Sequence, residues 1–177
     1  MNNYFKVFDN FCNPIELNNF YKEYCLSGKI SWKYNNNSGD YPVDAFCTSM
    51  AQEDLLSIPF LSQTKIKIQN LVSIFNNEFR RIIFNGQPNG FDGTIHCDYE
   101  KPGSLTALLF VNPEWEKWWG GDFLLYDKEG EELINGVTFK SNRLVLFDAN
   151  LHHRGLGPIH TALGTFRVSI AFQFEKT

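Results

Sequence analysis

The sequence predicts a mainly β domain, a sandwich or barrel, with helices confined to its N-terminal part and packed on one face. Three observations carry this. Apolar spacing is helical before Phe79 and changes after it. From Arg80 onward, short β-branched or aromatic runs alternate with Gly, Pro and Asn-Gly punctuation. Aromatic residues make up 16% of the chain, 17 of them Phe, and flat rings pack well on pleated surfaces.

In chain order, Leu17, Phe20, Tyr21 and Tyr24 recur at helical spacing between Pro14 and Ser27, with Gly28 as the stop. The Asn/Gly/Ser-rich stretch from Ser31 to Pro42, flanked by aromatics, reads as a loop, and the sequence leaves open whether it covers a substrate. Helix resumes weakly from Ala51 to Leu56 and strongly from about Ser62 to Phe79. There Leu61, Ile68, Leu71, Val72, Phe75 and Phe79 share one stripe. The strand-like runs that follow are RRIIFNG, GTIHCDY, LTALLFVN, GDFLLYD, GVTFK, RLVLFD and FRVSIAFQF. With no repeat, low-complexity segment or linker, residues 1–177 read as one domain, a helical support region (1–79) and a β core (80–177).

Composition narrows the function classes. Hydrophobic residues make up 43% and charged residues 20%, an ordinary globular balance. The net charge is -4, and no Lys/Arg stripe is present to track a phosphate backbone, so no nucleic-acid partner is expected. Cys12, Cys25, Cys47 and Cys97 are scattered without a CxxC pair, as in a reduced compartment. MNNYFKVFDN lacks a basic stretch leading into an apolar one, and no apolar run is long enough to span a bilayer. A cytoplasmic protein without a membrane partner is the expectation.

His96 and Asp98 lie two residues apart in TIHCDY. In a strand, side chains at i and i+2 share a face, so an imidazole and a carboxylate converge, while Cys97 points toward the core. Two histidines and one carboxylate suit Fe(II) and leave positions open for oxygen chemistry. A lone HxD is a weak motif and needs a second histidine from elsewhere. Two candidates, His152 and His153, follow the apolar run RLVLFD; being adjacent, both cannot face one metal from extended backbone. Either could instead be a partly buried histidine donating to a carbonyl, and His160, beyond Pro158, is a poorer candidate. Arg167 opens an otherwise apolar run, which is costly without an anionic partner. Asp122 or Asp148 would serve, or a ligand carboxylate gripped by the guanidinium fork. Ser169 would share that face.

Taken together, these residues resemble the iron(II)- and 2-oxoglutarate-dependent oxygenases, specifically the prolyl 4-hydroxylase-like branch. The matching pieces are NGQPNGFDGTIHCD, LLFVNPEWEKWWGGDFLLYD, RLVLFDANLHHRG and FRVSIAF, from about Arg80 to Phe174, with a Trp119-Gly120-Gly121 turn among them. The resemblance implies a double-stranded β-helix, a cupin-like jelly roll buttressed by helices. It implies His96, Asp98 and His153, five residues after Asp148, as the catalytic metal ligands. Arg167 and Ser169 would take the distal carboxylate of 2-oxoglutarate, and Asn85 falls near a cosubstrate-contacting position. The implied cofactors are Fe(II), the cosubstrate 2-oxoglutarate and dioxygen, with ascorbate a candidate reductant.

The implied reaction is hydroxylation of an unactivated C–H bond, foremost in a prolyl residue of a protein or peptide, alternatively in a free amino acid or small metabolite. Rival classes are a zinc hydrolase, which would not need Arg167 and Ser169 in the barrel, and a non-catalytic jelly-roll binding protein, which would tolerate loss of the ligands. One departure stands out: several hydroxylases of the branch place a tyrosine hydroxyl on the cosubstrate from the strand that here reads LLFVN, where Leu109 and Phe110 have none. The loop GLGPIHTALGT between His153 and Arg167 is also longer. NGQPNG and Gly120-Gly121 read as turns of positive φ, and Trp115, Trp118 and Trp119 as packing or rim residues.

Overall fold

The computed structural model describes residues 4–38, 41–48, 50–161 and 165–177. Strand β1 (Phe5–Phe8) leads to α1 (Pro14–Phe20), which runs into a π-helical turn (Tyr21–Leu26) closed by Gly28 at φ +82°. Next come β2 (Trp32–Ser38), β3 (Tyr41–Thr48), α2 (Gln52–Ser57) and α3 (Pro59–Val72). The remaining strands are β4 (Asn77–Gln87), β5 (Leu105–Phe110), β6 (Phe123–Tyr126), β7 (Leu133–Val137), β8 (Leu144–Asp148), β9 (His153–Gly155) and β10 (Arg167–Lys176). They form a seven-stranded antiparallel sheet in the order β1-β8-β5-β10-β4-β3-β2 and a three-stranded sheet in the order β7-β6-β9. This is the helix-buttressed jelly roll that the sequence predicts.

Alternation along the central strands decides where each side chain goes. Ala107 and Leu109 of β5, Leu144 and Leu146 of β8, and Ile170 and Phe172 of β10 face the helices. There they meet Leu17 and Phe20 of α1 and Leu61, Ile68 and Val72 of α3. The alternate residues, Leu108, Phe110, Val145, Phe147 and Ala171, face inward and pack with Phe123 and Leu125 of β6. The strand reading LLFVN therefore offers Leu108 and Phe110 to the barrel interior, and Leu109, singled out in the sequence, lies under the helices. The missing hydroxyl is thus a feature of Leu108 and Phe110.

The helices are placed by local chemistry. Pro14 sits in the first turn of α1, and the Asn13 side chain accepts from the N–H groups of Ile15 at 2.9 Å and Glu16 at 3.4 Å. The apolar stripe predicts a helix to Phe79, but α3 ends at Val72. One 3-10 turn follows, and Asn76 at φ +53° directs the chain into β4. Asparagine tolerates that left-handed conformation where most residues do not. Phe79 still packs on the helix-facing side of the sheet, edge-on to Phe174 at 5.8 Å, so core spacing continues past the helix that began it.

Other expectations change as well. The stretch from Ser31 to Pro42 is not a loop: β2 and β3 pair antiparallel, Trp32 opposite Thr48, and β3 joins β4 through Phe46–Gly86 and Cys47–Asn85. Residues 39–40 of that stretch, and 162–164 of the loop before Arg167, lie outside the described residues. Pairing in the sheet overrides the poor strand propensity of Asn and Ser. Residues 1–79 thus contribute three strands to the large sheet as well as helices. GTIHCDY is not a strand, since His96 makes only an isolated bridge, and the GVTFK strand is shifted to Leu133–Val137. No helix among the described residues is long and apolar enough to cross a membrane.

The alternation makes a prediction. Leu109→Ala opens a cavity under the helices and should cost about 2–5 kcal/mol in urea unfolding, with metal affinity unchanged within twofold by chelator competition. A drop in metal affinity would place Leu109 on the inward face instead.

Candidate metal centre

The segment carrying His96 and Asp98 has no ladder of its own and is pinned to the β8–β9 side of the barrel. His96 N–H donates to the His153 carbonyl at 3.1 Å, and His153 N–H donates back at 2.8 Å. The N–H groups of Asp98 and Tyr99 both donate to the Ala149 carbonyl at 3.0 Å. These contacts bring the two imidazoles to 4.6 Å between ring centres. The Asp98 carboxylate lies between them, with Oδ1 at 3.8 Å from His96 Nε2 and Oδ2 at 3.6 Å from His153 Nε2. Available ligand atoms of all three residues lie within 4.8 Å of one another.

Hydrogen bonds outside the triad orient its donors. His96 Nδ1 lies 2.9 Å from the Thr94 carbonyl and His153 Nδ1 lies 3.1 Å from that of Leu151. A carbonyl can only accept, so each Nδ1 carries the proton and each Nε2 keeps its lone pair for the shared point. The Thr106 hydroxyl donates to Asp98 Oδ2 at 2.6 Å and fixes the carboxylate. His153 is buried between Phe123 and Phe147. Burial pushes its imidazole down to about 4, against the opposing pull of Asp98, so it is neutral and able to ligate over the physiological range. The adjacent His152 instead packs its ring on the Gly130 turn, away from the triad. His160 takes a left-handed φ of +59° and is not part of the cluster. Cys97 is half-buried beside the site and belongs to neither core cluster, contrary to the core role its sequence position suggested.

Farther in, Arg167 is 1% exposed. Its Nε donates to the Gly121 carbonyl at 2.6 Å, and Nη1 donates to Gln87 Oε1 at 2.7 Å and Ser169 Oγ at 3.2 Å. Its plane lies near the rings of Phe110 and Phe139, at 5.1 and 5.4 Å. Nη2 is buried and has no partner. Neither Asp122 nor Asp148 pairs with it: Asp122 accepts from Phe139 N–H and Asp148 from Tyr4 N–H. Burial lowers the guanidinium to about 10, opposed by the more distant charge of Asp122, and it stays cationic. A buried cation with an idle NH2 group fits an anion of the carboxylate type.

The Trp-Gly-Gly turn does more than reverse the chain. Both glycines have positive φ, and a Cβ on Gly121 would lie 3.1 Å from Arg167 Cδ and from Trp115 Cζ2. Asn85 lies on β4 between Cys47 and Ser169 in register, facing the same interior. A cavity of about 440 Å³ joins these groups, lined by Asn85, His96, Asp98, His153, Arg167 and Ser169 among others. Two residues that contact the candidate site, Gln87 and Thr106, escaped the sequence reading. Gln87 also donates to the Gly155 carbonyl at 2.9 Å while holding Arg167; its signal is its place two residues beyond Asn85 on one strand face. Thr106 is betrayed only as a polar residue in an apolar run.

Known proteins align with this architecture. The family profile described as the 2OG-Fe(II) oxygenase superfamily matches residues 81–174, just over half the chain. No curated protein matches the chain in sequence. Among solved structures, a prolyl-4-hydroxylase from Pseudomonas putida is 15% identical with a TM-score of 0.63, over 98% of this chain and 92% of its own. A prolyl hydroxylase from Trichoplax adhaerens, solved with a hypoxia inducible factor peptide fragment, is 18% identical with a TM-score of 0.68, covering 96% and 82%. The non-heme alpha ketoglutarate dependent epimerase SnoN from nogalamycin biosynthesis is 13% identical with a TM-score of 0.70, covering 98% and 78%. At these identities the likeness is one of fold.

Two predictions arise from the geometry. Thr106→Val, which removes the bond to Asp98, should weaken metal binding about 10–100-fold in chelator competition; an unchanged affinity would show the hydroxyl to be idle. The second concerns pH. The folded-state value of His153 lies below its unfolded value of about 6.5, so the unfolded chain takes up more protons between the two. Metal-free protein should therefore lose stability as pH falls from about 6.5 toward 4, and thermal melts of His153→Gln should show a shallower loss. Equal slopes would refute the assignment.

Proposed function

This chain belongs to the 2OG-Fe(II) oxygenase superfamily, and from that premise we propose that His96, Asp98 and His153 hold its Fe(II) and that Arg167 and Ser169 hold the far carboxylate of 2-oxoglutarate. It is a 2-oxoglutarate-dependent dioxygenase. When bound, Fe(II) with 2-oxoglutarate and dioxygen supplies the oxidising power that turns a C–H bond into C–OH, the keto acid leaving as succinate and carbon dioxide.

The residues of the chain do the positioning. The Nδ1 protons of His96 and His153 are tied to backbone carbonyls, so neither ring needs to reorient on metal binding. Thr106 holds Asp98 through Oδ2. Gln87, Gly121 and Ser169 hold Arg167 through Nε and Nη1, which leaves the two N–H donors of Nη2 to a carboxylate, with the Ser169 hydroxyl beside them. Phe110, Phe123, Phe139 and Phe147 line this region with apolar surface and keep bulk water from it. The single observation that carries the reading is the fully buried Arg167 without a protein carboxylate. A zinc hydrolase has no use for it, and an inert binding barrel has no use for the intact His96–Asp98–His153 cluster beside it.

For the substrate, a prolyl residue in a protein or peptide is the proposed target, supported by the fold shared with two prolyl hydroxylases. A small molecule is the second reading, favoured by the fold shared with the epimerase. The proposed setting is the cytoplasm, in keeping with four unpaired cysteines.

The deciding experiment is anaerobic titration with Fe(II) and 2-oxoglutarate, read by the weak visible metal-to-ligand charge-transfer band. The wild type should develop it, and so should His152→Ala. His153→Ala should not, and Arg167→Met should require at least 100-fold more 2-oxoglutarate. A wild type without the band, but with tight zinc binding, would sink the proposal.

A further inference from the structure

A second arginine, Arg81, lines the same cavity and is half-buried where Arg167 is fully buried. On β10, Arg167, Ser169, Ala171 and Gln173 follow one another along the inward face, and all but Gln173 line the cavity. Gln173, 2% exposed, is opposite Thr106 on β5 and opposite Arg81 on β4. The register then slips. Phe174 pairs with Phe79, which leaves Arg80 as the extra residue of a β-bulge. A bulge lets two consecutive side chains point to one side. Arg80 Nη1 and Arg81 Nε both donate to Gln173 Oε1, at 3.2 and 2.7 Å.

The two arginines then diverge. Arg80 is exposed, and its guanidinium lies over the Tyr99 ring at 4.8 Å, on a rim where Tyr99 and Lys101 both engage Glu175. Arg81 is half-buried and lines the cavity. It is held only at Nε, and its two terminal nitrogens make no hydrogen bond or ion pair to any described residue. Thr106, whose hydroxyl fixes Asp98, lies two strands away, about 10 Å at ordinary strand spacing.

Charge within the cavity points the same way. Its charged lining residues among those described are Asp98, Arg81 and Arg167. In the loaded enzyme proposed above, Fe(II) balances the 2-oxoglutarate dianion and Asp98 balances one arginine. Among the described residues one positive charge is left over, on the half-buried Arg81. Its terminal nitrogens are not sealed from solvent, and a substrate carboxylate entering the cavity would form a charge-assisted pair with them.

We propose that Arg81 is the substrate-recognition residue and that the substrate presents a carboxylate to it. This rests on the oxygenase reading and deepens it by naming a chemical requirement of the substrate. The carboxylate has three sources consistent with the site: a free amino acid, the C-terminus of a peptide, or an acidic side chain beside the target residue. A prolyl substrate in any of these contexts meets the requirement; an uncharged prolyl peptide does not.

Calorimetry on the anaerobic Fe(II)/2-oxoglutarate holoenzyme separates the three. The probes are L-proline against L-prolinamide, glycyl-L-proline against its amide, and acetyl-Pro-Asp-amide against acetyl-Pro-Asn-amide. At least one acid should bind the wild type tenfold or more tighter than its neutral counterpart. Arg81→Met should abolish that preference and Arg81→Lys should keep part of it, with 2-oxoglutarate affinity unchanged within twofold in both.

The inference is overturned if no acid is preferred, if Arg81→Met retains the preference, or if both variants lose the charge-transfer band, which would place Arg81 in the cosubstrate site. A wild type that never forms the band instead fails the oxygenase reading, and this inference with it. A normal band with an indifferent Arg81→Met defeats this inference alone.

Discussion

His96 and His153 exchange both backbone hydrogen bonds, and the geometry of the site follows from that pair. Neither side could manage alone: β9 is three residues long, and the stretch around His96 has no ladder. Each such bond is worth only about 0.5–1.5 kcal/mol net. Because the residues that make the bonds also carry the imidazoles, the same contacts that close the small sheet also set where the two rings lie. The Ala149 carbonyl then holds Asp98 in the same way, so main-chain contacts determine the donor positions.

The large sheet supplies the second requirement, a dry interior that can still carry charge. Its helix-facing side is continuously apolar, whereas the inward side of β10 changes character along its length, from Arg167 and Ser169 through Ala171 to Gln173. Arg167 is tolerated because Gly121, Gln87 and Ser169 satisfy most of its donors and two aromatic rings accept its face. Gly121 and Gly155 are small for the same reason. A Cβ on Gly155 would come within 2.9 Å of Gln87 Oε1 and 3.0 Å of Arg167 Nη1. Turn residues and buried charge are thus parts of one arrangement.

Much of this was legible in the residues. The change from helical to alternating spacing located the β core, and the order His-x-Asp, His, Arg named the groups that the fold brings together. What resisted reading was set by partners distant in sequence. The strand at Trp32–Ser38 exists because β3 pairs with it, since its own Asn-rich composition argues for a loop. The end of α3 was hidden because Phe75 and Phe79 continue the apolar rhythm after the backbone has left the helix. Leu109 was misread by one position, and in a strand one position exchanges the two faces. Spacing alone could not choose between His152 and His153; the packing of His152 on Gly130 separates them. Gln87 and Thr106 carried no motif, and only contact with Arg167 and Asp98 reveals their roles.

The position of β10 has a consequence for how the protein reaches its native state. It lies between β4 and β5, and the Gln87–Arg167 contact across that pairing spans 80 residues. Until β10 arrives, both neighbours are unsatisfied edges with exposed apolar faces, the kind of surface on which chains associate. Long-range pairing of this sort is slow. The barrel therefore closes late around the strand that carries Arg167, and a nascent or heat-loosened chain is at greatest risk of aggregation before that arginine is enclosed.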